Sequence, residues 1–193
     1  MIDRKRHEIW LFRHGQTAWS VSGQHTGRTD LPLTEAGREQ AEALGRYLAG
    51  RKFDLVLSSP LVRAAETCRL AGYGEVARFT DDLMEWDHGE YEGLRPADIL
   101  KKRPGWTIWN DGVPGGETIE QVEQRARNVV GLTEAVDGGV AVFSHSHLLR
   151  ILAARWLGLP PDAGRHFDLD TASISVLGYS RDASVIRKWN QEV

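Results

Sequence analysis

Short apolar runs of five to seven residues recur along the chain, and each is too short for a core helix. They predict six strands, at residues 8–12, 54–58, 76–80, 139–143, 173–179 and 184–189. Only a short polar segment separates the last two, so they are expected to pair as an antiparallel hairpin.

Amphipathic segments lie between these runs and predict helices. They cover residues 34–50, 61–71, 96–102, 118–136 and 148–157. Thr34 follows Leu33, which is placed to act as a hydrophobic staple, and Thr118 precedes Gln121 by three residues in a capping-box pattern. Gly37 lies inside the first of these helices, where glycine costs about 1 kcal/mol relative to alanine.

The remaining long stretches predict loops. Residues 18–32 are dense in Ser, Gly, Thr and Asp, and residues 81–93 have little apolar periodicity. Residues 104–116 contain two tryptophans, two prolines and several glycines, which indicates a loop or lid. The alternation of strands and helices predicts one α/β domain over residues 1–193: a three-layer α/β/α sandwich with a mostly parallel sheet and an antiparallel edge.

Composition and charge narrow the class of protein. The 193 residues are 41% hydrophobic and 26% charged, which is ordinary for a soluble globular protein, and a net charge of −3 argues against general nucleic-acid binding. The single cysteine, Cys68, excludes an internal disulfide and indicates a reducing compartment, so a cytoplasmic location is expected. The charged segment 1–6 is unlike a signal peptide, and no apolar run approaches the roughly 18 residues that span a bilayer. No nucleic-acid or membrane partner is expected, and a homodimer is left open.

Basic side chains follow three of the predicted strands. Arg13 and His14 come after the first strand, Arg63 lies in the first turn of the helix after the second, and His145 follows residues 139–143. The carboxyl ends of parallel strands share one edge of a sheet, so these groups are expected to converge there. An anion is needed to offset so many cationic groups, and phosphate suits both guanidinium groups and helix N-termini.

His14 is the candidate nucleophile of this phosphate site. A neutral imidazole attacks through one nitrogen while the other donates a hydrogen bond that fixes the tautomer. A backbone carbonyl near Gly15 is the expected acceptor.

Six motifs occur in the order and spacing of the histidine phosphatase superfamily, also called the phosphoglycerate mutase-like family. They are residues 11–17, 31–37, 58–67, 85–93, 116–118 and 143–145. The chain resembles this family, and the resemblance implies a phosphohistidine mechanism in which His14 attacks phosphorus and Glu85 protonates the leaving alcohol. It also implies that Arg13, Arg63 and His145 hold the phosphoryl oxygens and that no metal or other cofactor is required. For its role Glu85 needs a raised pKa, which the adjacent Trp86 is placed to supply by apolar shielding.

The phosphatase branch is the nearer likeness within this family. His145 follows Glu85 by 60 residues, whereas the cofactor-dependent phosphoglycerate mutases carry a long insertion there. Six segments resemble sugar-bisphosphatases of the sedoheptulose-1,7-bisphosphatase kind: residues 19–20, 23–24, 26–27, 85–86, 106–112 and 147–150. The resemblance implies a metal-independent phosphomonoesterase that acts on small sugar phosphates or bisphosphates, with mutase-type phosphoryl transfer between small metabolites as the alternative.

A pocket for the rest of the phosphorylated metabolite is predicted beside the phosphate site. Its candidate residues are Gln24, His25, Thr26, His88, Ser146 and Arg150. Arg150 is the expected distal anchor for a second anionic group, which predicts a preference for bisphosphates over simple monoesters. His25 and His88 stand where the resembling enzymes have tyrosine, and Ser146 stands where glycine is usual after the second catalytic histidine.

Two hypotheses from other classes are weighed against this one. A metallohydrolase would use His145 and His147, which share a face if both lie on a strand, but further carboxylate or cysteine ligands at metal spacing do not stand out. A catalytically idle phosphate-binding module predicts that His14, Arg63 or Glu85 is missing, and all three are present.

Overall fold

A six-stranded sheet organises residues 7–193, the part of the chain that the computed structural model describes. Its strands are β1 Glu8–Arg13, β2 Leu55–Ser58, β3 Arg78–Phe79, β4 Gly139–Ser144, β5 Ile174–Ser180 and β6 Ala183–Gln191. They lie in the order β3-β2-β4-β1-β5-β6, and the first four are mutually parallel. β5 pairs antiparallel with β1, and β6 pairs antiparallel with β5. The predicted mostly parallel sheet with an antiparallel edge is confirmed. The charged segment 1–6 lies outside the described residues.

Helices cover both faces of this sheet. They are α1 Ala18–Ser22, α2 Glu35–Leu48, α3 Val62–Leu70, α4 Pro96–Lys102, α5 Ile108–Asp111, α6 Ile119–Glu134 and α7 Ser146–Trp156. Successive side chains of β1 point to opposite faces. Ile9 and Leu11 pack in a core with α6 and α7, whereas Trp10 and Phe12 pack in a core with α2 and α3. The three-layer α/β/α prediction is therefore confirmed.

Three predicted boundaries are wrong in detail. The loop predicted for residues 18–32 begins with α1, because Thr17 and Ser20 form a capping box that starts a short helix. Only two residues of the strand predicted at 76–80 pair with β2, since a 3₁₀ turn occupies residues 74–76. The predicted loop 104–116 contains α5. In residues 7–193 we find no helix with both the length and the apolar character needed to cross a membrane.

A glycine contact holds α2 against the loop that follows β1. Thr34 caps α2 through its side chain by accepting from the backbone N–H of Gly37 at 3.1 Å. A Cβ atom on Gly37 would lie 2.2 Å from the carbonyl oxygen of Gln16, and one on Gly15 would lie 2.3 Å from the carbonyl oxygen of Gly37. Backbone therefore packs on backbone at the point where the candidate nucleophile is held.

Candidate active site

The pairing of β1 with β4 brings two histidines together at one edge of the sheet. Arg13 lies opposite Ser144 in the parallel register, so His14 and His145 are the next residues of the two neighbouring strands. The backbone N–H of His14 donates to the carbonyl oxygen of Ser144 at 3.0 Å, and the two imidazole centroids are 5.1 Å apart. The side chain of Arg13 donates to the carbonyl oxygen of Leu169. The predicted convergence of strand ends is thus present.

His14 is buried and held in one orientation. Its Nδ1 lies 2.8 Å from the carbonyl oxygen of Gly15, which only accepts, so Nδ1 carries the proton and Nε2 keeps its lone pair. The backbone N–H of Gly15 donates to Thr67 Oγ1 at 3.0 Å, which fixes this loop from α3. Burial lowers the pKa of His14 well below its ordinary value, and the nearby guanidinium groups of Arg63 and Arg13 lower it further. The imidazole is therefore neutral at neutral pH, as nucleophilic attack requires.

The side chain of Arg63 is completely buried in the first turn of α3 and orients His145. Its Nη1 and Nη2 donate to the carbonyl oxygens of Thr29 and Gly27 at 3.0 and 2.8 Å. Its Nε donates to His145 Nδ1 at 3.1 Å. Since Nδ1 accepts, the proton of His145 is on Nε2, which lies 2.8 Å from Ser59 Oγ. Arg63, fixed by Thr29 and Gly27, thus holds His145 in one orientation, and both were predicted to bind phosphate.

Glu85 lies at the N-terminus of α7, a contact that local sequence does not reveal. Its Oε1 accepts from the backbone N–H groups of Trp86 and Leu148 at 2.9 and 3.0 Å, and its Oε2 accepts from that of His147 at 3.1 Å. The Nδ1 atom of His147 is 3.5 Å from the same Oε2. His145, the N-cap residue of α7, makes no capping bond with its side chain, and Glu85 supplies those acceptors instead.

The expectation of a raised pKa for Glu85 is wrong. Burial raises the pKa of this carboxyl, but His147, His145 and His88 together lower it by more, and the net pKa lies well below the ordinary value. The backbone N–H groups at the start of α7 also favour the carboxylate, because they donate to its charged form. The glutamate is therefore ionised in the free protein.

His25, His88 and His147 form one cluster on the Glu85 side of the site. The ring centroids of His25 and His88 are 5.0 Å apart, and those of His88 and His147 are 5.1 Å apart. Trp106 lies 5.6 Å from the ring of His25, and Trp109 lies 5.5 Å from that of His147. Two of the residues predicted for the substrate pocket, His25 and His88, are thus brought together with His147, which the sequence analysis considered as a metal ligand.

The side chains of the other predicted pocket residues make contacts elsewhere. Gln24 donates from Nε2 to the carbonyl oxygen of Gly93 at 2.7 Å, and Thr26 donates to the carbonyl oxygen of Gln24 at 3.4 Å. These contacts serve the loop itself. Ser146 is the first residue of α7 and is half-buried beside His145.

Arg150 is fastened to a neighbouring segment. Its Nε and Nη2 donate to the carbonyl oxygens of Gly164 and Arg165 at 3.0 and 3.1 Å. Its guanidinium carbon lies 4.8 Å from the ring centroid of Trp109. These contacts tie α7 to residues 161–166, and they give no support to the prediction that Arg150 anchors a second phosphate.

The geometric premise of the metal hypothesis is also wrong. His145 caps α7 and faces Arg63 and Ser59, whereas His147 lies in the helix and faces Glu85, so the two do not share one face of a strand. Within residues 7–193 no group of three or more His, Cys, Asp or Glu side chains is placed to hold a metal ion.

Glu117 and Arg125 support the segment that carries Glu85, and sequence reasoning gave them no role. Arg125 forms a two-pronged contact with Glu117, at 2.9 and 2.8 Å, and its Nη1 donates to the carbonyl oxygen of Met84 at 2.6 Å. Glu117 in turn accepts from the backbone N–H of Asp87 at 2.9 Å. Glu117 lies in the motif at 116–118, but nothing in the sequence pairs it with the arginine eight residues later.

The fold and the site together define an α/β protein with two arginines and two histidines gathered at its strand ends, an arrangement suited to phosphate esters. The sequence profile of the histidine phosphatase superfamily (branch 1) matches residues 9–192, and the chain belongs to this family. An acid phosphatase of Mycobacterium tuberculosis is 41% identical over 179 residues, which are 91% of this chain and 88% of that protein. The sedoheptulose 1,7-bisphosphatase of Saccharomyces cerevisiae is 35% identical over 182 residues, which are 77% of this chain and 67% of that protein.

Solved structures agree with this assignment. A Mycobacterium tuberculosis protein superimposes with a TM-score of 0.92 at 38% identity, covering 96% of this chain and 98% of the other. A mycobacterial glucosyl-3-phosphoglycerate phosphatase superimposes with a TM-score of 0.86 at 30% identity, covering 96% and 100%. The chain is a phosphatase of this family.

Proposed function

We propose that this phosphatase transfers the phosphoryl group of a small phosphate ester to His14 and then to water. The observation that carries the proposal is the orientation of His14, whose Nδ1 faces the carbonyl oxygen of Gly15 at 2.8 Å and leaves a neutral Nε2 for attack. In the first step the Nε2–phosphorus bond forms while the bond from phosphorus to the ester oxygen breaks. In the second, water attacks the phosphohistidine, inorganic phosphate leaves, and the lone pair returns to Nε2.

Arg13, Arg63 and His145 hold the phosphoryl oxygens in this proposal, with His145 turning its Nε2–H from Ser59 Oγ to the bound phosphate. Three of the five N–H groups of Arg63 bind His145, Thr29 and Gly27, and the remaining two are assigned to phosphate. Negative charge on the equatorial oxygens is spread during transfer, and guanidinium groups already fixed in place stabilise it without further reorganisation.

Glu85 is the proposed proton donor to the leaving alcohol. Its carboxylate is ionised in the free protein, but a phosphate ester bound nearby brings like charge and raises its pKa. The protonated carboxyl then donates to the ester oxygen as that bond breaks. In the second step the carboxylate accepts a proton from the attacking water.

Small phosphorylated metabolites, sugar phosphates among them, are the proposed substrates. Support comes from the names of similar proteins, which include a sedoheptulose 1,7-bisphosphatase and a glucosyl-3-phosphoglycerate phosphatase. We also propose a single histidine phosphatase domain over residues 1–193 and a cytoplasmic location, which the lone cysteine favours. A homodimer and the lack of a nucleic-acid partner stay predictions.

A His14→Ala variant tests the nucleophile. We expect a folded protein whose phosphatase activity falls at least about a thousandfold, because no neighbouring group replaces the covalent step. Labelling with a ³²P-labelled ester, quenched in alkali because the P–N bond of phosphohistidine is labile in acid, should place phosphate on His14 in the native protein and none in the variant. His166→Ala, at an exposed histidine, is the matched control and should keep full activity.

Two results would contradict this proposal. One is a labelled phosphoprotein formed by the His14→Ala variant, and the other is a native activity abolished by chelators. Transfer of the label to an added alcohol with no release of inorganic phosphate would instead favour the mutase-type reaction.

A further inference from the structure

Three imidazoles line the side of the site where the leaving group of a phosphate ester must lie. His147 is next to Glu85, the proposed proton donor, with its Nδ1 3.5 Å from Oε2. His88 follows at a ring distance of 5.1 Å, and His25 follows His88 at 5.0 Å. His25 and His147 are half-buried, whereas His88 is only 1% exposed and forms the floor.

Three ring nitrogens of His25 and His88 lack hydrogen-bond partners from the protein. Within residues 7–193, Nε2 of His25 and both ring nitrogens of His88 are buried without such a partner. Leaving a buried polar atom unpaired costs about 1–3 kcal/mol. Adjacent unpaired groups of this kind in a native protein indicate a site whose bonds a ligand completes.

His25 and His88 are uncharged near neutral pH. Burial, with a smaller contribution from His147, lowers the pKa of His25 to about 4. Burial also lowers the pKa of His88 well below its ordinary value. A neutral imidazole offers one N–H donor and one nitrogen acceptor, which is the pairing that an alcohol hydroxyl group satisfies.

The surroundings disfavour a second anionic group at this place. The carboxylate of Glu85 lies at one end of the cluster. Arg150, one helical turn after His147, already donates to the carbonyl oxygens of Gly164 and Arg165. The indole of Trp106 packs edge-on against His25, which adds an apolar wall suited to a carbon skeleton.

We infer that His25 and His88 form a binding site for hydroxyl groups of the leaving alcohol, so that the enzyme prefers monophosphate esters of polyhydroxylated alcohols. The inference rests on the proposed function, because it concerns the leaving group of that reaction. It replaces the sequence-based preference for doubly anionic esters, since the predicted anchor is engaged elsewhere and the imidazoles are neutral. His147 completes the cluster beside the proton donor.

Matched substrate pairs test this inference. The pairs are glucose 6-phosphate with cyclohexylmethyl phosphate, ribose 5-phosphate with tetrahydrofurfuryl phosphate, and glycerol 1-phosphate with propyl phosphate. For at least one pair, kcat/KM of the native protein should favour the hydroxylated ester by about 10- to 100-fold. Glucose 1,6-bisphosphate, when hydrolysed at its 6-phosphate, should be about tenfold poorer than glucose 6-phosphate.

Variants then locate the preference in the cluster. His25→Phe and His88→Phe keep a ring but remove the nitrogens, and each should reduce the ratio of kcat/KM for that pair at least about tenfold. His166→Phe, at an exposed histidine, should leave the ratio unchanged. Thermal unfolding checks that each variant is folded. If His88→Phe is unstable, His88→Asn replaces it: asparagine restores a donor and an acceptor, so this variant should keep part of the native preference for the hydroxylated ester.

The outcomes separate the two proposals. If the native protein hydrolyses none of these esters and no p-nitrophenyl phosphate, the proposed function fails. Hydrolysis without a preference for the hydroxylated member of any pair, or a preference that both variants retain, overturns the inference alone. A tenfold preference for the bisphosphate also overturns the inference, and it would mean that the site binds a doubly anionic ester.

Discussion

A carboxylate at the start of a helix is stabilised in its ionised form, and Glu85 occupies that place at α7. Its two oxygens accept from the backbone N–H groups of Trp86, His147 and Leu148, and its pKa is held well below the ordinary value. At the scale of one residue, the protein therefore keeps the proposed general acid as its conjugate base until a substrate binds. The protonated fraction of Glu85 in the free enzyme grows as the pH falls.

Glu85→Gln is expected to separate two kinds of leaving group. An alkyl phosphate such as cyclohexylmethyl phosphate needs a proton, so its kcat/KM should fall about 10²- to 10³-fold, whereas that of p-nitrophenyl phosphate should fall less than about tenfold. For the native protein, the ratio of alkyl to aryl kcat/KM should rise from pH 7 to pH 5, because kcat/KM reports the free enzyme. The variant should show a flat ratio. Equal losses with both substrates would mean that Glu85 does not donate the proton.

Sequence reasoning could choose these residues but not their surroundings. His14 and its contact with Gly15 are neighbours in the chain, so the tautomer was predictable. The donors to Glu85 from α7 come from more than 60 residues away, and the adjacent Trp86 suggested an apolar shield instead. The charge state of a buried carboxyl such as Glu85 depends on groups distant in sequence, and a local sequence pattern does not reveal them.

At the scale of elements, the contact of α2 with the loop after β1 sets where the nucleophile lies. A glycine in a helix is ordinarily a weak point, as the sequence suggests for Gly37. Here it allows the carbonyl oxygen of Gln16 to approach where a Cβ would stand, at 2.2 Å. The apparent defect is a requirement of packing.

Substitution by alanine at two helical glycines should therefore change the free energy of unfolding in opposite directions. Gly37→Ala should lower the free energy of unfolding by about 1–3 kcal/mol, because the clash with Gln16 outweighs the gain in helix propensity. It should also lower kcat, since the loop that carries His14 must shift. Gly131→Ala, at an exposed position of α6 with no atom within 4 Å of the added Cβ, should raise the free energy of unfolding by up to about 1 kcal/mol. Urea unfolding measures both, and a stabilised Gly37→Ala variant would refute this account.

Elements with a local signal were predictable and those without one were not. The capping box of Thr118 and Gln121 marks the start of α6, and the hairpin of β5 and β6 has its short turn in the sequence. The segment of α1 has few strong helix formers, so its composition favoured a loop. Its start depends on the pair Thr17 and Ser20, a weaker signal than a glutamate or glutamine at the second position.

On the scale of the whole molecule, buried neutral histidines couple stability to pH. Burial lowers the pKa of His14, His88 and His145 well below the ordinary value and that of His25 to about 4. The unfolded chain binds protons at these groups below about pH 6.5, whereas the folded protein does not. Their contribution to stability is therefore complete above that pH and is lost as the pH falls towards the folded values. The lowered pKa of Glu85 acts in the same direction below about pH 4.5.

The free energy of unfolding should accordingly fall steeply between pH 6.5 and pH 5. Each such histidine contributes a slope of up to about 1.4 kcal/mol per pH unit, so several together exceed what one group can produce. Urea unfolding at steps of half a pH unit measures the slope. His25→Phe should reduce that slope by about the contribution of one histidine. A free energy that stays constant over this range would contradict the burial of neutral imidazoles.

The sheet order has a consequence for how the chain acquires its shape during synthesis. β1 is made first, yet its two neighbours in the sheet are β4 and β5, which begin at Gly139 and Ile174. A nascent chain must therefore keep an apolar segment unpaired until most of its length has left the ribosome. Contacts of such long sequence separation fold slowly and leave strand edges open meanwhile. The catalytic edge forms only when β4 pairs with β1, so a ribosome-bound chain that ends before residue 139 has no means of completing it.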